Sequence, residues 1–135
     1  MDNETIESFA LYRLEKAKQV LNTAEHNFKD LKDYASANNR SYYAIFYAIR
    51  AVLALEEKDF KKHKDVIAYF NQYYVNTEIF PKKIGRKISQ AQYVRKKSDY
   101  DDKYEPSAEK TEEQIETARE LIRLVEKYVN EKMSN

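Results

Sequence analysis

One stretch limits what this chain can become. Residues 40–55 read RSYYAIFYAIRAVLAL, and from Tyr42 to Leu55 only Arg50 is neither apolar nor aromatic. A helix lying on a protein surface interrupts its apolar positions with polar ones every third or fourth residue. This run does not. It is also too short to cross a bilayer, which takes about 20 apolar residues, and charges flank it on both sides. Ala44, Ala48, Ala51 and Ala54 are small enough to let neighbouring helices approach. The run therefore reads as a helix buried on nearly all sides by other helices.

The rest of the sequence supplies those helices. One glycine and two prolines in 135 residues leave little material for the turns of a sheet. The length fits a single domain, residues 1–135 with a core at about 5–130, large enough to bury a core without staples. With no cysteine there is neither a disulfide framework nor a thiolate metal site. His26 and His63, far apart, do not suggest zinc, and no metal or cofactor is called for. A net charge of +1 gives no bulk attraction to nucleic acid, so any such binding must come from a local patch. The opening MDNETIES has no basic start or apolar middle of a leader, and a cytoplasmic protein without membrane attachment is expected.

In order, a first helix from about Thr5 to Leu31 carries Leu14, Ala17, Leu21, Ala24, Phe28 and Leu31 at alternating intervals of three and four. The apolar helix follows from about Ser36. A charged connection, Glu56 to Lys64, leads to a shorter helix over Asp65 to Val75, with Val66, Ile67, Phe70 and Tyr73 or Tyr74 inward. Asn76 to Pro81 reads as a loop, with Pro81 in the first turn of a helix running to about Lys97. That helix buries Ile84, Ile88, Ala91 and Val94; Gly85 marks either close packing or a later start. Ser98 to Pro106 looks like a loop. The last helix opens at Ser107 or at Thr111, the latter forming a Thr-x-x-Gln cap with Gln114. Ile115, Ala118, Ile122, Val125 and Val129 form its stripe. Four long helices and one short one make an all-α bundle.

Three phrases in this order resemble the HEPN domain in its small stand-alone prokaryotic form. They are Arg40-Ser-Tyr-Tyr-Ala44 heading the apolar helix, His63-Lys64 before Val66-Ile67 and Phe70, and Arg95-x-x-Ser98-Asp99-Tyr100-Asp101. The similarity runs from about Leu14 to Val129. It implies an antiparallel four-helix bundle with an additional short helix, often a homodimer. It also implies a toxin–antitoxin setting, RNA cleavage, or nucleotide binding beside a minimal nucleotidyltransferase.

Many ribonucleases of that family carry an arginine and a histidine with four to six residues between them. Arginine supplies fixed positive charge for a phosphate, and histidine moves a proton near neutral pH. Here the arginine is Arg95, but the positions where histidine belongs are Tyr100, Asp101 and Asp102. Tyrosine, with a pKa near 10, is a poor substitute. Arg95 is carried over as a phosphate-contacting and catalytic candidate, and the histidine role is left empty. Asp99 and Tyr100 join it as nucleotide- or RNA-binding candidates. The alternative is structural, with Asp99 pairing Arg95 and Tyr100 packing its ring.

The family also implies a polar residue on the second helix facing the arginine. Asn38 is assigned to an exposed first turn, whereas Asn39 and Arg40 stay open between that role and ligand binding. Arg50, interrupting the apolar run, is expected to pair with a carboxylate from another helix. His63 reads as a helix-entry residue, with approach to Arg95 across a dimer as the alternative; His26 reads as exposed. Lys82, Lys83, Arg86, Lys87, Arg95, Lys96 and Lys97, with Tyr93 and Tyr100 nearby, form either a nucleic-acid patch or a solvated face balanced by Glu78, Asp99, Asp101 and Asp102. Twelve tyrosines without a tryptophan exceed what one small core satisfies, which favours self-association or a protein partner. By the resemblance, Tyr100 or Tyr104 is a candidate for adenylylation.

The leading expectation is a HEPN-like component of a toxin–antitoxin or nucleotidyltransferase-associated module. It would bind nucleotide or RNA and a protein partner. The alternatives are a divergent metal-independent ribonuclease toxin using Arg95 and a non-catalytic oligomeric scaffold.

Overall fold

The apolar run becomes the central helix of the molecule. In the computed structural model, which describes residues 2–101 and 103–134, the elements are α1 (Asn3–Lys29), α2 (Tyr34–Ala54), α3 (His63–Phe70), a π-helical turn (Asn71–Val75) that continues it, α4 (Lys82–Tyr100) and α5 (Ala108–Met133). No strand occurs among the described residues, and no helix there is long and apolar enough to cross a membrane. α2 packs against α1, α3, α4 and α5, and α1 also packs on α5. Residues 30–33 are all that join α1 to α2, so the two must run antiparallel. The result is a four-helix bundle with α3 as the extra element. Ile45, Ile49, Val52 and Leu53 of α2 are fully enclosed, each contributing about 1.5–3 kcal/mol by burial. Ala44, Ala48, Ala51 and Ala54 of the same helix are buried too, which is what lets α1 and α5 close on it.

Most of the expected inward stripes hold, and the departures have local causes. Leu31 falls outside α1 and is 61% exposed, because the chain leaves the helix after Lys29 and reverses at Lys32, whose φ is 53°. Asp33 then caps α2, its carboxylate accepting from the Ser36 amide at 3.1 Å and the Ser36 hydroxyl at 2.7 Å. α3 starts at His63 and loosens into the π turn, where the Asn76 amide donates to the Asn71 carbonyl at 2.8 Å. Of the tyrosine pair, Tyr74 is buried and Tyr73 is exposed. Pro81 caps α4 from just outside it. Gly85 marks close packing: a Cβ there would lie 2.5 Å from Val75 Cγ1. α4 continues through Ser98, Asp99 and Tyr100, so the expected loop does not begin before Asp101. The Arg95–Asp99 pair one turn apart supports that extension. Asp102, of the acidic run, lies outside the described residues.

α5 opens at Ser107, whose hydroxyl accepts from the Lys110 amide at 3.0 Å. Thr111 and Gln114 therefore do not cap; they face α2 inside the bundle. There they meet Asn38, which is 4% exposed rather than on an open first turn. Its amide nitrogen donates to the Thr111 hydroxyl and, at 3.3 Å, to the Tyr34 carbonyl. Gln114 Nε2 donates to the Asn38 carbonyl at 2.7 Å and to Ser41 Oγ at 3.0 Å. A buried polar group needs such partners, and these come from a helix far along the chain.

Candidate functional site

Two helix positions meet across the gap between α3 and α4. His63 is the first residue of α3, and Arg95 sits on the last turns of α4. Arg95 NH1 lies 3.0 Å from His63 Nδ1. A guanidinium can only donate, so Nδ1 is the acceptor and the imidazole is neutral, with its proton on Nε2. Burial first, then the positive charges of Arg95 and Arg50, hold the His63 pKa below its ordinary 6.5. The ring stacks on Phe46 at 3.9 Å between centroids, and the Tyr42 hydroxyl is 3.5 Å from Nδ1.

The arginine is held from below by aromatic faces. Its guanidinium carbon is 4.7 Å from the Tyr42 ring centre and 4.8 Å from that of Tyr43. These two tyrosines stand side by side on α2 in the first of the three sequence phrases, so that phrase builds the platform for the third. Burial raises the Tyr42 phenol above its usual range, keeping it protonated. Asp99 Oδ2 stands 3.4 Å from Arg95 Nε, an ion pair on the more exposed side.

The structure thus joins Arg95 and Asp99, two of the sequence candidates. Tyr100, the next residue of α4, is 86% exposed. Asn39 and Arg40 are exposed in the early turns of α2, while Asn38 is spent on the buried network. Arg50 pairs with Asp59 at 2.8 Å, and Arg13 reaches the same carboxylate at 3.5 Å. The expected partner is therefore a carboxylate, but one from the connection before α3 rather than from a helix. Within the basic cluster Lys87 pairs with Glu120 at 3.1 Å, whereas Lys83, Arg86, Lys96 and Lys97 remain exposed. His26 is exposed beside Asp30.

Sequence reasoning brought His63 to Arg95 only as an alternative, across a dimer. The histidine is a helix-entry residue, as expected, yet it reaches Arg95 within one chain and needs no second copy to do so. A signal was available. α3 and α4 are joined by a short loop, and His63 and Arg95 lie equally far on either side of Ile79 within it. Two helices folded back around that loop bring such positions level. Among the described residues, no group of three or more histidine, cysteine, aspartate or glutamate side chains gathers to hold a metal ion.

Comparison with known proteins gives the chain its family. The HEPN domain family matches residues 10–128. The chain belongs to the HEPN family. It is 31% identical over 120 residues to a "UPF0332 protein" of Thermotoga maritima, covering 89% of this chain and 90% of that one. It is 34% identical over 119 residues to a protein of Methanocaldococcus jannaschii named "Putative toxin", covering 87% of each. A second protein of that organism bearing the same kind of name is 29% identical over 116 residues, 86% of this chain and 78% of its own. In this HEPN protein, Arg95 of α4 is met by a histidine from another helix.

Proposed function

We propose that this HEPN protein is a toxin-like, metal-independent ribonuclease whose reacting pair is Arg95 and His63. The observation that carries the reading is the 3.0 Å approach of the guanidinium to a neutral imidazole. It supplies the histidine that the sequence shortly after Arg95 lacks.

The chemistry follows from competition for one guanidinium. While NH1 donates to Nδ1, the histidine lone pair is masked. A phosphodiester brought beside Arg95 offers charged oxygens, and hydrogen bonds to charged groups outcompete neutral ones. Drawing NH1 to the phosphate frees Nδ1 to take the proton of the adjacent ribose 2′-hydroxyl. The 2′-oxygen then bonds to phosphorus while the bond to the 5′-oxygen breaks. That leaving oxygen takes a proton from water, whose hydroxide takes back the proton held on His63, giving a 2′,3′-cyclic phosphate and a free 5′-hydroxyl. Arg95 balances the charge that develops on the phosphoryl oxygens, and Asp99 steadies Arg95 from behind. The test is incubation of the purified protein with RNA in the presence of a chelator. Cleavage by the unaltered chain, lost in His63→Ala and Arg95→Ala, is the expected result. Cleavage unaffected by His63→Ala defeats the pairing.

A second reading rests on the exposure of Tyr100 one turn beyond the arginine. An accessible phenol there suits adenylylation by a minimal nucleotidyltransferase partner in a two-gene module, which would restrain the site; half-buried Tyr104 is the poorer acceptor. Purification from the host with mass spectrometry distinguishes the two, since the second reading requires AMP on Tyr100. Self-association into a homodimer belongs to either reading and is read by sedimentation.

A further inference from the structure

Lys87, in the first half of α4, donates to Glu120 well down α5 at 3.1 Å, so the two helices lie side by side in opposite directions. Between that bond and the start of α5 they stand apart around a slot of about 420 Å³. Neither Arg95 nor His63 lines it, so it is no part of the reacting pair. More of its surface is apolar than polar, and the buried side chains of Ala91 and Val94 contribute to the floor.

The polar groups on that floor can only accept. Gln114 lines the slot and is 5% exposed, and its Nε2 is spent on the Asn38 carbonyl and Ser41 Oγ. A backbone carbonyl accepts and never donates, so the amide cannot be turned round and Oε1 is its free end. Nothing among the described residues donates to that oxygen. Thr117 beside it gives its hydroxyl hydrogen to the Glu113 carbonyl at 3.1 Å, which leaves only lone pairs. Along the rim, Glu109, Glu113 and Glu116 follow one flank of α5 at intervals of four and three. The flank rises about 10 Å over that distance. Glu116 is paired with Arg119, and Lys87 with Glu120. Glu109, Glu112 and Glu113 then face Lys110 alone, three negative charges against one positive, an excess of two.

We infer that this slot binds a linear aliphatic diamine carrying two positive charges. One ammonium donates to Gln114 Oε1, Thr117 Oγ1 and the Glu113 carboxylate, and the other reaches Glu109 a turn away. The methylenes between them lie on Ala91 and Val94. Each part of the slot needs this combination. A bare metal ion has no use for an apolar floor, a single lysine side chain leaves one negative charge unmatched, and the carboxylates repel nucleic acid. The site is independent of the ribonuclease reading.

The test is isothermal titration calorimetry of the full chain with 1,5-diaminopentane in about 0.15 M salt, where distant surface charges are screened. Expected is saturable binding at one site, with pentylamine about tenfold weaker or worse because it carries one ammonium. A Glu109→Gln, Glu113→Gln double variant should lose about tenfold or more, since charged hydrogen bonds go with the carboxylates. Thr117→Val removes an acceptor without changing the charge or the shape of the floor, and should weaken binding about three- to tenfold. Glu131→Gln, on the exposed far end of α5, should stay within about twofold, as a distant screened charge does. Thermal melting checks that each variant folds. No saturable binding at millimolar diamine overturns the site. Equal binding of pentylamine, an unchanged affinity in Thr117→Val, or a loss in Glu131→Gln as large as in the double variant overturns it too, in favour of general attraction between charges.

Discussion

Arg50 and Arg95 both lean on the aromatic cluster around His63, yet they are opposites in charge balance. Arg50 lies 5.7 Å over Phe46 and donates at 2.8 Å to Asp59. Burial pushes the Asp59 carboxyl up, but bonds from Arg50 and the Phe60 amide, with the charges of Arg50 and Arg13, outweigh it and hold the carboxyl below its ordinary value. Two cations and one anion thus close the start of the α2–α3 connection against α1. Arg95 has its carboxylate only at 3.4 Å, on the exposed side, and spends its best hydrogen bond on a neutral ring. The same residue type on the same kind of platform is a brace in one place and an unspent charge in the other. What separates them is the partner, and an arginine facing a neutral base is the one with reason to meet an anion.

The largest expected contrast is in activity. Arg95→Ala should lower RNA cleavage by about three orders of magnitude or more, since it removes the phosphate contact and the charge that stabilises the transition state. Arg50→Leu should leave the cleavage rate within about twofold; a comparable loss in both would erase the distinction. His63→Ala should cost about 10²- to 10⁴-fold in rate with RNA affinity preserved, as removal of a proton acceptor does. A matched loss of affinity would make His63 a binding residue instead.

Stability should show the reverse order. Asp59→Asn should destabilise by about 1 kcal/mol, a value kept low because both partners are partly solvated. Asp99→Asn should change melting by less, because its pair is longer and joined by no second arginine. The smallest effect concerns pH. His63 is held neutral in the fold with a pKa below 6.5, so the unfolded chain binds its proton first. Stability from this group is full above about 6.5, falls as pH drops below it, and levels off once the folded pKa is passed. His63→Gln should flatten that dependence in melting curves collected from pH 7.5 to 5; an unchanged slope would assign it to other groups.

How much of this could be read in advance follows from range. The apolar run around Ile45 and Ile49 and the three-four stripe from Ile115 to Val129 are local patterns, and the helices stand where they indicate. Asp99 and Tyr100 read as loop because their composition is polar, while the pairing of Asp99 with Arg95 that suits a helix is a single contact within it. Asn38 misled for a related reason. A polar residue near a helix start is most often solvated, and its burial depends on Thr111 and Gln114, brought in from α5 by tertiary packing. His63 was visible as a partner of Arg95 only as an alternative and only across a dimer, since a motif window searches along the chain and this pairing crosses between helices.

The amide and hydroxyl cluster at Asn38, Ser41, Thr111 and Gln114 has a consequence for alignment. Alanine and valine surfaces are smooth, and α5 sliding by one turn past α2 would bury nearly as much apolar area. The slide would strand Gln114 and Asn38 without acceptors, a cost of about 1–3 kcal/mol for each group left unmet. The cluster therefore works as an index pin between two helices that meet only after most of the chain has been laid down. Replacing Gln114 by leucine should leave helix content intact and blur the tertiary packing, a bundle with all its rods and no fixed notch.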